Sequence, residues 1–479
     1  MYLGIDIGTS SVKAVITDDA GTVVAQGNAP LSVDRPHDLW SEQCPDAWWQ
    51  ATRDAVGALP ADARRSIRAI GLAGQMHGAT VLGRDDRPLR AAILWNDGRS
   101  QAECAQLEAE APGSRAITGN LAMPGFTAPK LLWLRAHEPQ IFEHIHTVLL
   151  PKDYVRLCMT GDKSSDMADS AGTLWLDVGK RDWSDAMLSA TGLGRIHMPA
   201  LFEGNAVTGT LRVDIATAWG MEKVPVVAGG GDNAAGAVGV GVVAEGDAFL
   251  SLGTSGVIFV ATDQFRPNPD QAVHAFCHCL PELWHQMSVH LSAASCIDWA
   301  ASLTKQSVPD FFAEAEKEGA GSGSELFLPY LSGERTPHND PHIRGAFLGL
   351  GNETDTGRLA NAVLEGVAFA HADGLAALRE AGTHVEALSV IGGGARSQYW
   401  GSILAAALGV KLQYRKGGEV GPALGAAKLA MIAVTGASVA EACAKPELIA
   451  EIEPDATLTE RLAPKLEKFR RAYAALKLI

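Results

Sequence analysis

The residue of this chain that is best placed to do chemistry is Asp232, an aspartate that follows three consecutive glycines. The apolar run 224–228 precedes the glycines, and an Ala/Gly-rich stretch follows the aspartate. This pattern predicts a buried strand, a turn whose bare backbone a ligand can approach closely, and the start of a helix. Aspartate is also a common helix N-cap, but that role does not explain the three glycines. Asp232 is therefore a candidate general base.

Two Gly-Thr-Ser turns, each between apolar strands, are the candidate phosphate sites. They occupy residues 8–10 and 253–255, about 245 residues apart. Gly-rich turns aim backbone N–H groups into a concavity that suits phosphate, and the hydroxyl groups add donors. One copy could be an ordinary hairpin, whereas two copies favour two halves that close on one ligand. Only the first hairpin carries Asp6 and Lys13, where the second has serine and isoleucine, so only the first can help to hold a cation.

Two further junctions place polar residues or glycines just after a predicted strand. The strand predicted over 68–73 leads into the polar segment 74–78, which contains His77. In open α/β sheets ligands bind beyond the carboxyl ends of strands, so His77 can face a ligand, although a structural histidine fits the position equally well. The strand predicted over 388–391 leads into glycines 392–394, where bare backbone could admit a flat nucleoside.

The elements that must position these residues are strands alternating with helices. Hydrophobic periodicity predicts strands over 2–7 and 12–17 and a small-residue helix over 421–435, whereas 166–173, rich in small and acidic residues, is predicted to be a loop. With 479 residues the chain is long enough for two large domains. A boundary between about 240 and 248 would fall just before the second Gly-Thr-Ser hairpin.

Composition excludes several classes of function. The formal net charge of −15 argues against nucleic acid or an anionic membrane surface as the main partner. Seven cysteines without a CxxC pair indicate reduced thiols of an intracellular protein. The strand pattern begins at residue 2, which leaves no room for a signal peptide, and no apolar run approaches the roughly 20 residues of a membrane span. We therefore expect a cytoplasmic protein.

Together these features favour phosphoryl transfer from a nucleotide. That chemistry needs mainly positioning, neutralisation of phosphate charge and a base for the acceptor hydroxyl. Asp232 is the candidate base, and Asp6 could hold Mg²⁺ directly or through water, because Mg²⁺ prefers oxygen ligands. The sequence contains no Walker A motif, no HExxH zinc motif and no serine-nucleophile elbow.

Ten segments, spread over essentially the whole chain, carry the signature sequences of a known family. They are GIDIGTSSVK (4–13), LWSEQ (39–43), GQMHGAT (74–80), ILWNDGR (93–99), GNLAMPGFTAPKLLW (119–133), LLPKDY (149–154), VVAGGGDNAAGAVGVG (226–241), LSLGTSGV (250–257), LPYLSGERTPHN (328–339) and IGGGARS (391–397). Together they resemble the FGGY carbohydrate kinases of the actin/Hsp70/sugar-kinase superfamily. GQMHGAT is the segment most specific for the branch that phosphorylates D-xylulose.

The resemblance implies an α/β fold of two actin-like, ribonuclease H-like domains, 1–243 and 244–479, around a central cleft. The first domain would bind the sugar and the second the nucleotide. The implied reaction transfers the γ-phosphate of ATP to D-xylulose with Mg²⁺. Asp232 would be the proton acceptor, the sugar contacts would be Met76, His77, Asp232 and Asn233, and the metal contacts would be Asp6 and Asp232. The residues implied near ATP are Gly8, Thr9, Ser10, Lys13, Gly253, Thr254, Gly393, Gly394 and Ser397.

Two other functions remain open from the sequence. The nearer one is a kinase of the same family that acts on another ketose or polyol, such as ribulose, xylitol or glycerol. The farther one is a non-catalytic ATP-switch protein of the same superfamily, against which the Asp232-Asn233 and Met76-His77 pairs argue. A homodimer is the usual assembly implied by the resemblance, although no self-complementary feature of the sequence indicates one.

Overall fold

A computed structural model describes residues 1–416 and 421–478. The strands of the first half are β1 (Tyr2–Ile7), β2 (Ser11–Thr17), β3 (Val23–Pro30), β4 (Glu42–Gln43), β5 (Ile70–Gly74), β6 (Thr80–Leu82), β7 (Ala92–Ile93), β8 (Thr147–Leu149), β9 (Ser164–Asp166), β10 (Leu176–Asp177), β11 (Asp182–Trp183), β12 (Ala200–Phe202), β13 (Val207–Thr210), β14 (Pro225–Val227) and β15 (Gly230–Gly231). Its helices are α1 (Pro45–Gly57), α2 (Ala61–Arg65), α3 (Gln101–Glu110), α4 (Ser114–Thr118), α5 (Thr127–His137), α6 (Pro139–Phe142), α7 (Pro151–Thr160), α8 (Met167–Ala171), α9 (Asp185–Ala190), α10 (Val213–Trp219) and α11 (Asp232–Val240).

The second half repeats the alternation of strands and helices. Its strands are β16 (Ala248–Leu252), β17 (Gly256–Thr262), β18 (His274–Cys277), β19 (Trp284–His290), β20 (Leu326–Leu328), β21 (Ala346–Leu348), β22 (Ala387–Ile391), β23 (Lys411–Arg415) and β24 (Leu448–Ile452). Its helices are α12 (Ala294–Leu303), α13 (Val308–Glu318), α14 (Thr356–Glu380), α15 (Gln398–Leu408), α16 (Pro422–Thr435), α17 (Val439–Ala442) and α18 (Ala456–Leu476).

The two large sheets share one order and direction of strands. In the first sheet, β1, β2 and β3 form an antiparallel meander, and β5 and β14 follow parallel to β1. In the second sheet, β16, β17 and β19 form the meander, and β22 and β23 follow parallel to β16. The repeated topology confirms the predicted α/β fold of two similar domains.

Helix α16 comes late in the chain but packs on the first sheet, and bare glycine backbone makes this approach possible. A Cβ atom at Gly4, Gly71 or Gly425 would lie only 1.8, 1.9 or 1.7 Å from a carbonyl oxygen of α16 or α11. The backbone of α16 therefore lies directly on β1 and β5 and against α11. Because Asp232 is the first residue of α11, this packing fixes the orientation of the helix that carries the candidate base.

The segment 166–173 was wrongly predicted to be a loop. Asp166 closes β9 and then caps α8, since its carboxylate accepts the N–H groups of Ala168 at 2.8 Å and Asp169 at 3.1 Å. Small and acidic residues are equally typical of a capped, buried helix, and burial of this segment decides between the two structures.

The structure also bears on the predictions made for the cysteines and for membrane-spanning segments. All seven cysteines are free thiols. Among the helices of the described ranges, none is both long enough and apolar enough to cross a bilayer.

Candidate active site

Strand register brings the candidate catalytic residues to one edge of the first sheet. Asp6 of β1 lies opposite Ala73 of β5, which in turn lies opposite Gly230 of β15. All three strands are parallel, so their carboxyl ends meet at the same edge. Asp6, the segment after β5 that contains His77, and Asp232 after β15 are therefore neighbours, although they are far apart in sequence.

Asp232 is the first residue of α11, with Gly231 in the N-cap position, so the alternative role of a capping aspartate does not apply. One carboxylate oxygen accepts hydrogen bonds from the backbone N–H and side-chain amide of Asn233, at 2.7 and 2.8 Å. Burial raises the pKa of Asp232 to about 6, and the two hydrogen bonds from Asn233 oppose that rise. A half-buried carboxylate with this pKa is ionised near neutral pH and is still basic enough to accept a proton.

Asp6 faces Asp232 from β1 and lies directly across the hairpin from Lys13. Burial raises the pKa of Asp6 to about 7, the charge of Asp232 adds to the rise, and the charge of Lys13 opposes it. One oxygen of Asp6 is buried and has no hydrogen-bond partner among the described residues. Two carboxylates whose charges interact, one of them with an unused oxygen, fit Mg²⁺, which is commonly held by one or two carboxylates plus substrate phosphates.

His77 sits in an uncommon backbone conformation, with φ of 69°. Its Nδ1 lies 2.7 Å from the carbonyl oxygen of Gly172, and because a carbonyl oxygen only accepts, Nδ1 must carry the proton. Burial lowers the pKa of His77 to about 3, and the charge of Lys130 lowers it further, so the ring is neutral. The unprotonated Nε2 is thus available as a hydrogen-bond acceptor for a hydroxyl group.

The surroundings of Met76 and His77 require bare backbone on both sides. A Cβ atom at Gly172 would lie 2.5 Å from the imidazole ring, and one at Gly231 would lie 2.8 Å from the Met76 side chain. The carbonyl oxygen of His77 accepts hydrogen bonds from Lys130 Nζ at 2.9 Å and Thr127 Oγ1 at 3.1 Å. These contacts hold the 76–77 segment against the start of α11.

Sequence reasoning missed several of the residues that hold this site. They are Phe126, Lys130 and Gly172. None carries a catalytic signature, because an aromatic residue, a lysine and a glycine are each common at positions with a purely structural role. Lys130 is buried, its pKa is lowered to about 7 chiefly by burial, and its ammonium donates to the carbonyl oxygens of His77 and Gly125. The one available signal was the family-like segment 119–133, which contains two of the three.

The first Gly-Thr-Ser turn is tied to neighbouring side chains. The hydroxyl of Thr9 donates to Gln75 Oε1 and accepts from Trp95 Nε1, both at 3.0 Å. Gln43 Nε2 donates to the Thr9 carbonyl oxygen at 2.7 Å. Ser10 is exposed and Gly8 is half-buried at the mouth of the turn. Because the Gly8 N–H donates to the Ser11 carbonyl oxygen at 3.0 Å, the donors of the turn that have no partner among the described residues are the N–H groups of Thr9 and Ser10 and the Ser10 hydroxyl.

The second turn opens onto a cavity of about 660 Å³ in the second half of the molecule. Five of the residues predicted to lie near ATP line this single cavity: Gly253, Thr254, Gly393, Gly394 and Ser397. Backbone hydrogen bonds from the start of α12 hold the turn, since Ala293 N–H and Ala294 N–H donate to the Thr254 and Gly253 carbonyl oxygens at 2.9 Å. The structure thus brings together residues that are about 140 positions apart in sequence.

The other wall of this cavity is apolar and was not predicted. Ile297 of α12 and Val308 and Phe312 of α13 line it, with Asp298 nearby. A cavity with polar turns on one side and apolar side chains on the other suits the base and ribose of a nucleotide. In sequence these residues read as ordinary helix residues, so no local signal marks them.

A second cavity, of about 610 Å³, lies between the two halves. Trp95 and Gly125 line it from the first half, and Glu334, Arg335 and Asn339 line it from the second. Trp95 Nε1 also donates a hydrogen bond to the Thr9 hydroxyl of the first turn. The Lys130 ammonium donates to the carbonyl oxygens of both Gly125 and His77. This interdomain cavity is therefore next to the first Gly-Thr-Ser turn, through Trp95, and is linked to His77 through Gly125 and Lys130.

The duplicated topology and the residues collected in the cleft define a two-domain α/β sugar kinase fold. The family model "FGGY family of carbohydrate kinases, N-terminal domain" matches residues 1–239, and the C-terminal domain model matches residues 248–434. The chain belongs to the FGGY family of carbohydrate kinases.

Several named proteins are similar to this chain over its whole length. The xylulose kinase of Escherichia coli K12 is 56% identical over 99% of each chain, and that of Klebsiella pneumoniae is 53% identical over 100% of this chain and 99% of the other. Among solved structures, a protein described as a xyloylose kinase from Brucella ovis is 49% identical, with a TM-score of 0.97 over 100% of this chain and 99% of that one. The xylulose kinase of Rhodospirillum rubrum is 28% identical, with a TM-score of 0.93 over 99% of both chains.

Proposed function

We propose that this chain is a xylulose kinase, which transfers the γ-phosphate of ATP to D-xylulose and releases ADP and D-xylulose 5-phosphate. One observation carries the proposal. Asp6, His77 and Asp232 meet at one sheet edge in a chain that is 56% identical to the E. coli xylulose kinase over 99% of its length. The choice of D-xylulose as the substrate rests on the names of the relatives, whereas the chemical mechanism is argued from the residues of the site.

Asp232 is the proposed general base. The terminal hydroxyl of the sugar attacks the γ-phosphorus, the bond from that phosphorus to the β–γ bridging oxygen breaks, and the hydroxyl proton passes to the Asp232 carboxylate. The pKa of about 6, raised by burial, keeps the carboxylate ionised near neutral pH and ready to accept that proton. Asn233 holds one carboxylate oxygen, which leaves the other free to face the sugar.

The sugar is proposed to bind against Met76, His77 and Asn233. The neutral His77 ring accepts a sugar hydroxyl at Nε2, because Nδ1–H is committed to the Gly172 carbonyl oxygen. The Met76 side chain, packed on Gly231, forms the apolar floor under the sugar carbons. These contacts orient the terminal hydroxyl towards Asp232.

The nucleotide is proposed to lie across the cleft, with its base in the 660 Å³ cavity of the second half. The phosphates would reach the two turns, where the backbone N–H groups of Thr9, Ser10 and Thr254 and the hydroxyl groups of Ser10 and Thr254 are the donors. Gly8 and Gly253, whose N–H groups bond within the hairpins, would allow the phosphates to approach the backbone closely. Gly393, Gly394 and Ser397 would contact the adenosine, and Lys13 would stand near the phosphates behind Asp6.

Asp6 and Asp232 are the residues proposed to hold Mg²⁺, because their charges interact and one oxygen of Asp6 has no protein partner among the described residues. When bound, the ion supplies positive charge that neutralises the phosphate oxygens. Lys13 reduces the repulsion between the two carboxylates.

The proposal also covers the organisation of the protein. The sugar-binding domain is 1–243 and the nucleotide-binding domain is 244–479, of which residues 417–420 and 479 lie outside the described ranges. The reaction takes place in the cytoplasm, where ATP is available, and the assembly is a homodimer, as is usual in the family. Size-exclusion chromatography with light scattering measures that assembly directly.

The first test is coupled ADP release with Mg-ATP. D-xylulose is compared with D-ribulose, L-ribulose, xylitol, glycerol and no sugar in the same assay. We expect D-xylulose to have the highest kcat/KM. Preference for another acceptor would contradict D-xylulose as the substrate but not the fold or the role of Asp232. ADP release that does not depend on any of the sugars would favour the ATP-switch hypothesis instead.

A further inference from the structure

Arg335 lies on a loop of the second half that is anchored beside the second phosphate turn. The Glu334 carboxylate accepts the backbone N–H groups of Leu291 at 3.1 Å and of Arg335 at 2.7 Å, and it lies 3.2 Å from His290 Nδ1. His290 in turn pairs with Gly256, the first residue after that turn. The position of Arg335 is therefore fixed by the nucleotide-binding half of the molecule.

The guanidinium of Arg335 contacts His274, a residue of the second half that itself contacts Asn120 of the first half. Its Nη1 lies 3.5 Å from His274 Nε2. The Asn120 amide nitrogen donates to the carbonyl oxygens of Thr118 and Ala275, so its amide oxygen accepts from His274 Nδ1 at 3.1 Å. His274 Nε2 is then unprotonated and accepts from Arg335. One edge of the guanidinium is thus oriented, and its other donors have no hydrogen-bond partner within residues 1–416 and 421–478.

Arg335 is close to the proposed sugar site at the end that contains His77. Phe126 lies edge-on between the two histidine rings, with its centroid 4.8 Å from His77 and 5.5 Å from His274. After burial and Lys130, the charge of Arg335 is a further cause that lowers the pKa of His77. The shift in the Asp232 pKa comes from burial and Asn233. Arg335 therefore acts at the His77 end of the site, away from the base.

This cation has no carboxylate partner in the described ranges 1–416 and 421–478 within ion-pair distance. Burial lowers the pKa of the guanidinium, and only its neighbour Glu334, whose oxygens are turned to backbone N–H groups and His290, opposes the shift. Arg335 also lines the 610 Å³ interdomain cavity, opposite Trp95 and Gly125 of the first half. Arg335 is half-buried, and a partly desolvated cation beside a cavity is stabilised by a ligand that supplies oxygen acceptors.

We propose that Arg335 is a sugar-contacting residue, contributed by the nucleotide-binding half, which donates hydrogen bonds to oxygen atoms of the ketose at the end opposite the phosphorylated hydroxyl. The inference rests on the proposed function, because it names a further determinant of the same substrate. A guanidinium only donates and a ketone oxygen only accepts, so the two are complementary. Each half would then grip the sugar, and sugar binding would favour closure of the cleft.

The test compares Arg335→Gln and Arg335→Lys with the wild type. We expect Arg335→Gln to weaken D-xylulose binding, measured calorimetrically without nucleotide, by about ten- to a hundredfold, as for a lost hydrogen bond to a charged group. The affinity for a non-hydrolysable ATP analogue should change less than about threefold, because the residue lies outside the nucleotide cavity. Arg335→Lys should recover part of the loss, because it keeps the charge without the planar fork.

The matched control is Arg344→Gln. Arg344 is exposed on the same loop region, and its guanidinium donates only to the local carbonyl oxygens of Pro341 and Ile343. It should leave sugar affinity unchanged. If Arg335→Gln kept the wild-type sugar affinity, or lost sugar and nucleotide affinity equally, the inference would be wrong. A wild type that shows no D-xylulose-dependent ADP release would instead overturn the proposed function.

A second measurement needs no substitution and applies if the Arg335 variants do not fold. The wild type is treated with phenylglyoxal, an arginine reagent, with and without D-xylulose, and the modified positions are mapped by mass spectrometry. We expect D-xylulose to protect Arg335 and not Arg344. Equal modification of Arg335 in both samples would contradict the proposed contact.

Discussion

The two Gly-Thr-Ser hairpins stand at the same place in two sheets of the same topology, yet they are built differently. In the first, Ile7 pairs with Val12, so four residues form the loop. In the second, Leu252 pairs with Gly256, so the loop has three residues. This one-residue difference sets Asp6 opposite Lys13, whereas Ser251 lies opposite an apolar residue. One scaffold thus carries a charged hairpin in one half and an uncharged one in the other.

The two halves also differ in what they bury. The first half buries charge: Lys152 contacts Asp153, Asp166 and Asp169, with Nζ–O distances of 2.5, 2.7 and 3.5 Å and every side chain fully buried. The second half also buries an ion pair, between Glu365 and Lys465. Its distinctive feature is a set of buried imidazole rings, each 5% exposed or less: His274, His278, His285, His290 and His371. Buried ions are stable only when they are paired, whereas a buried imidazole is stable only in its neutral form, because burial disfavours its charge.

This difference teaches that the halves divide the labour. The first half contains the candidate catalytic carboxylates and the proposed sugar contacts, and the second contains the proposed nucleotide cavity. Each of the following predictions changes one half and compares the result with a matched change in the other.

The largest effect is expected at the base. Asp232→Asn should lower kcat by at least about a hundredfold, the usual scale for a lost acid–base group, because the amide cannot accept the proton. Binding of a non-hydrolysable ATP analogue should persist. The matched variant in the second half is Asp298→Asn, at the nucleotide cavity, which should change the KM for ATP with little effect on kcat. Near-normal turnover by Asp232→Asn would contradict the role of Asp232 as the general base, and with it the proposal that the first half provides the catalytic carboxylate.

Much of this site follows from the sequence by simple rules. Apolar runs that end in glycine or polar residues mark the carboxyl ends of buried strands, and parallel strands bring such ends together. Asp6, His77 and Asp232 could therefore be grouped before any coordinates were known. The repeat of the Gly-Thr-Ser turn likewise predicted two similar domains.

The remainder depends on packing that no local pattern encodes. The loop lengths of the two hairpins differ by one residue, although the Gly-Thr-Ser motifs look alike, because pairing in the sheet sets the register. Gly172 orients His77 from a segment that was predicted to be a loop. The apolar wall formed by Ile297 and Phe312 looks like ordinary helix core until α12 and α13 meet the glycines of 392–394.

The two hairpins can be compared by one substitution in each. Asp6→Asn should lower activity at limiting Mg²⁺ by about ten- to a hundredfold, and excess Mg²⁺ should recover part of it, because a weakened metal site is refilled by mass action. Ser251→Ala, the matched change in the second hairpin, should have an effect below about threefold, because a half-buried hydroxyl is a weaker contact. Equal losses from both variants would mean that the charged hairpin has no special role. The measurement is kcat as a function of Mg²⁺ concentration.

A crossed pair of variants tests which half binds which substrate. His77→Ala should raise the KM for D-xylulose by about tenfold with little change for ATP, because one hydrogen-bonded contact is lost. Phe312→Ala should raise the KM for ATP by a similar factor of about tenfold and leave the sugar unaffected, because it removes apolar contact area with the base. Initial rates over a grid of both substrates separate the two effects. An effect of His77→Ala on both substrates would identify a structural histidine instead.

The smallest effect is expected from the buried imidazoles. It is a loss of stability at acidic pH, which is absent at high pH. Burial, and then the neighbouring His290, lowers the pKa of His371 to about 3, whereas an unfolded histidine has a pKa of about 6.5. Between these values the unfolded chain binds a proton that the folded chain does not, so acid favours unfolding. The contribution to the free energy of unfolding is fully present above pH 6.5 and falls by about 1.4 kcal/mol per pH unit below it.

His371→Asn removes this titration and keeps a donor towards the Val367 carbonyl oxygen, which Nδ1 contacts at 2.8 Å. The variant should be less stable than the wild type at pH 8 because it leaves a void, and the difference should shrink by about 1.4 kcal/mol between pH 6 and pH 5. His144→Asn, at an exposed histidine of the first half, should leave the pH dependence unchanged. Urea unfolding at each pH measures both. A gap that stays constant from pH 8 to pH 5 would mean that folding does not lower the pKa of His371, which would contradict the effect expected from its burial.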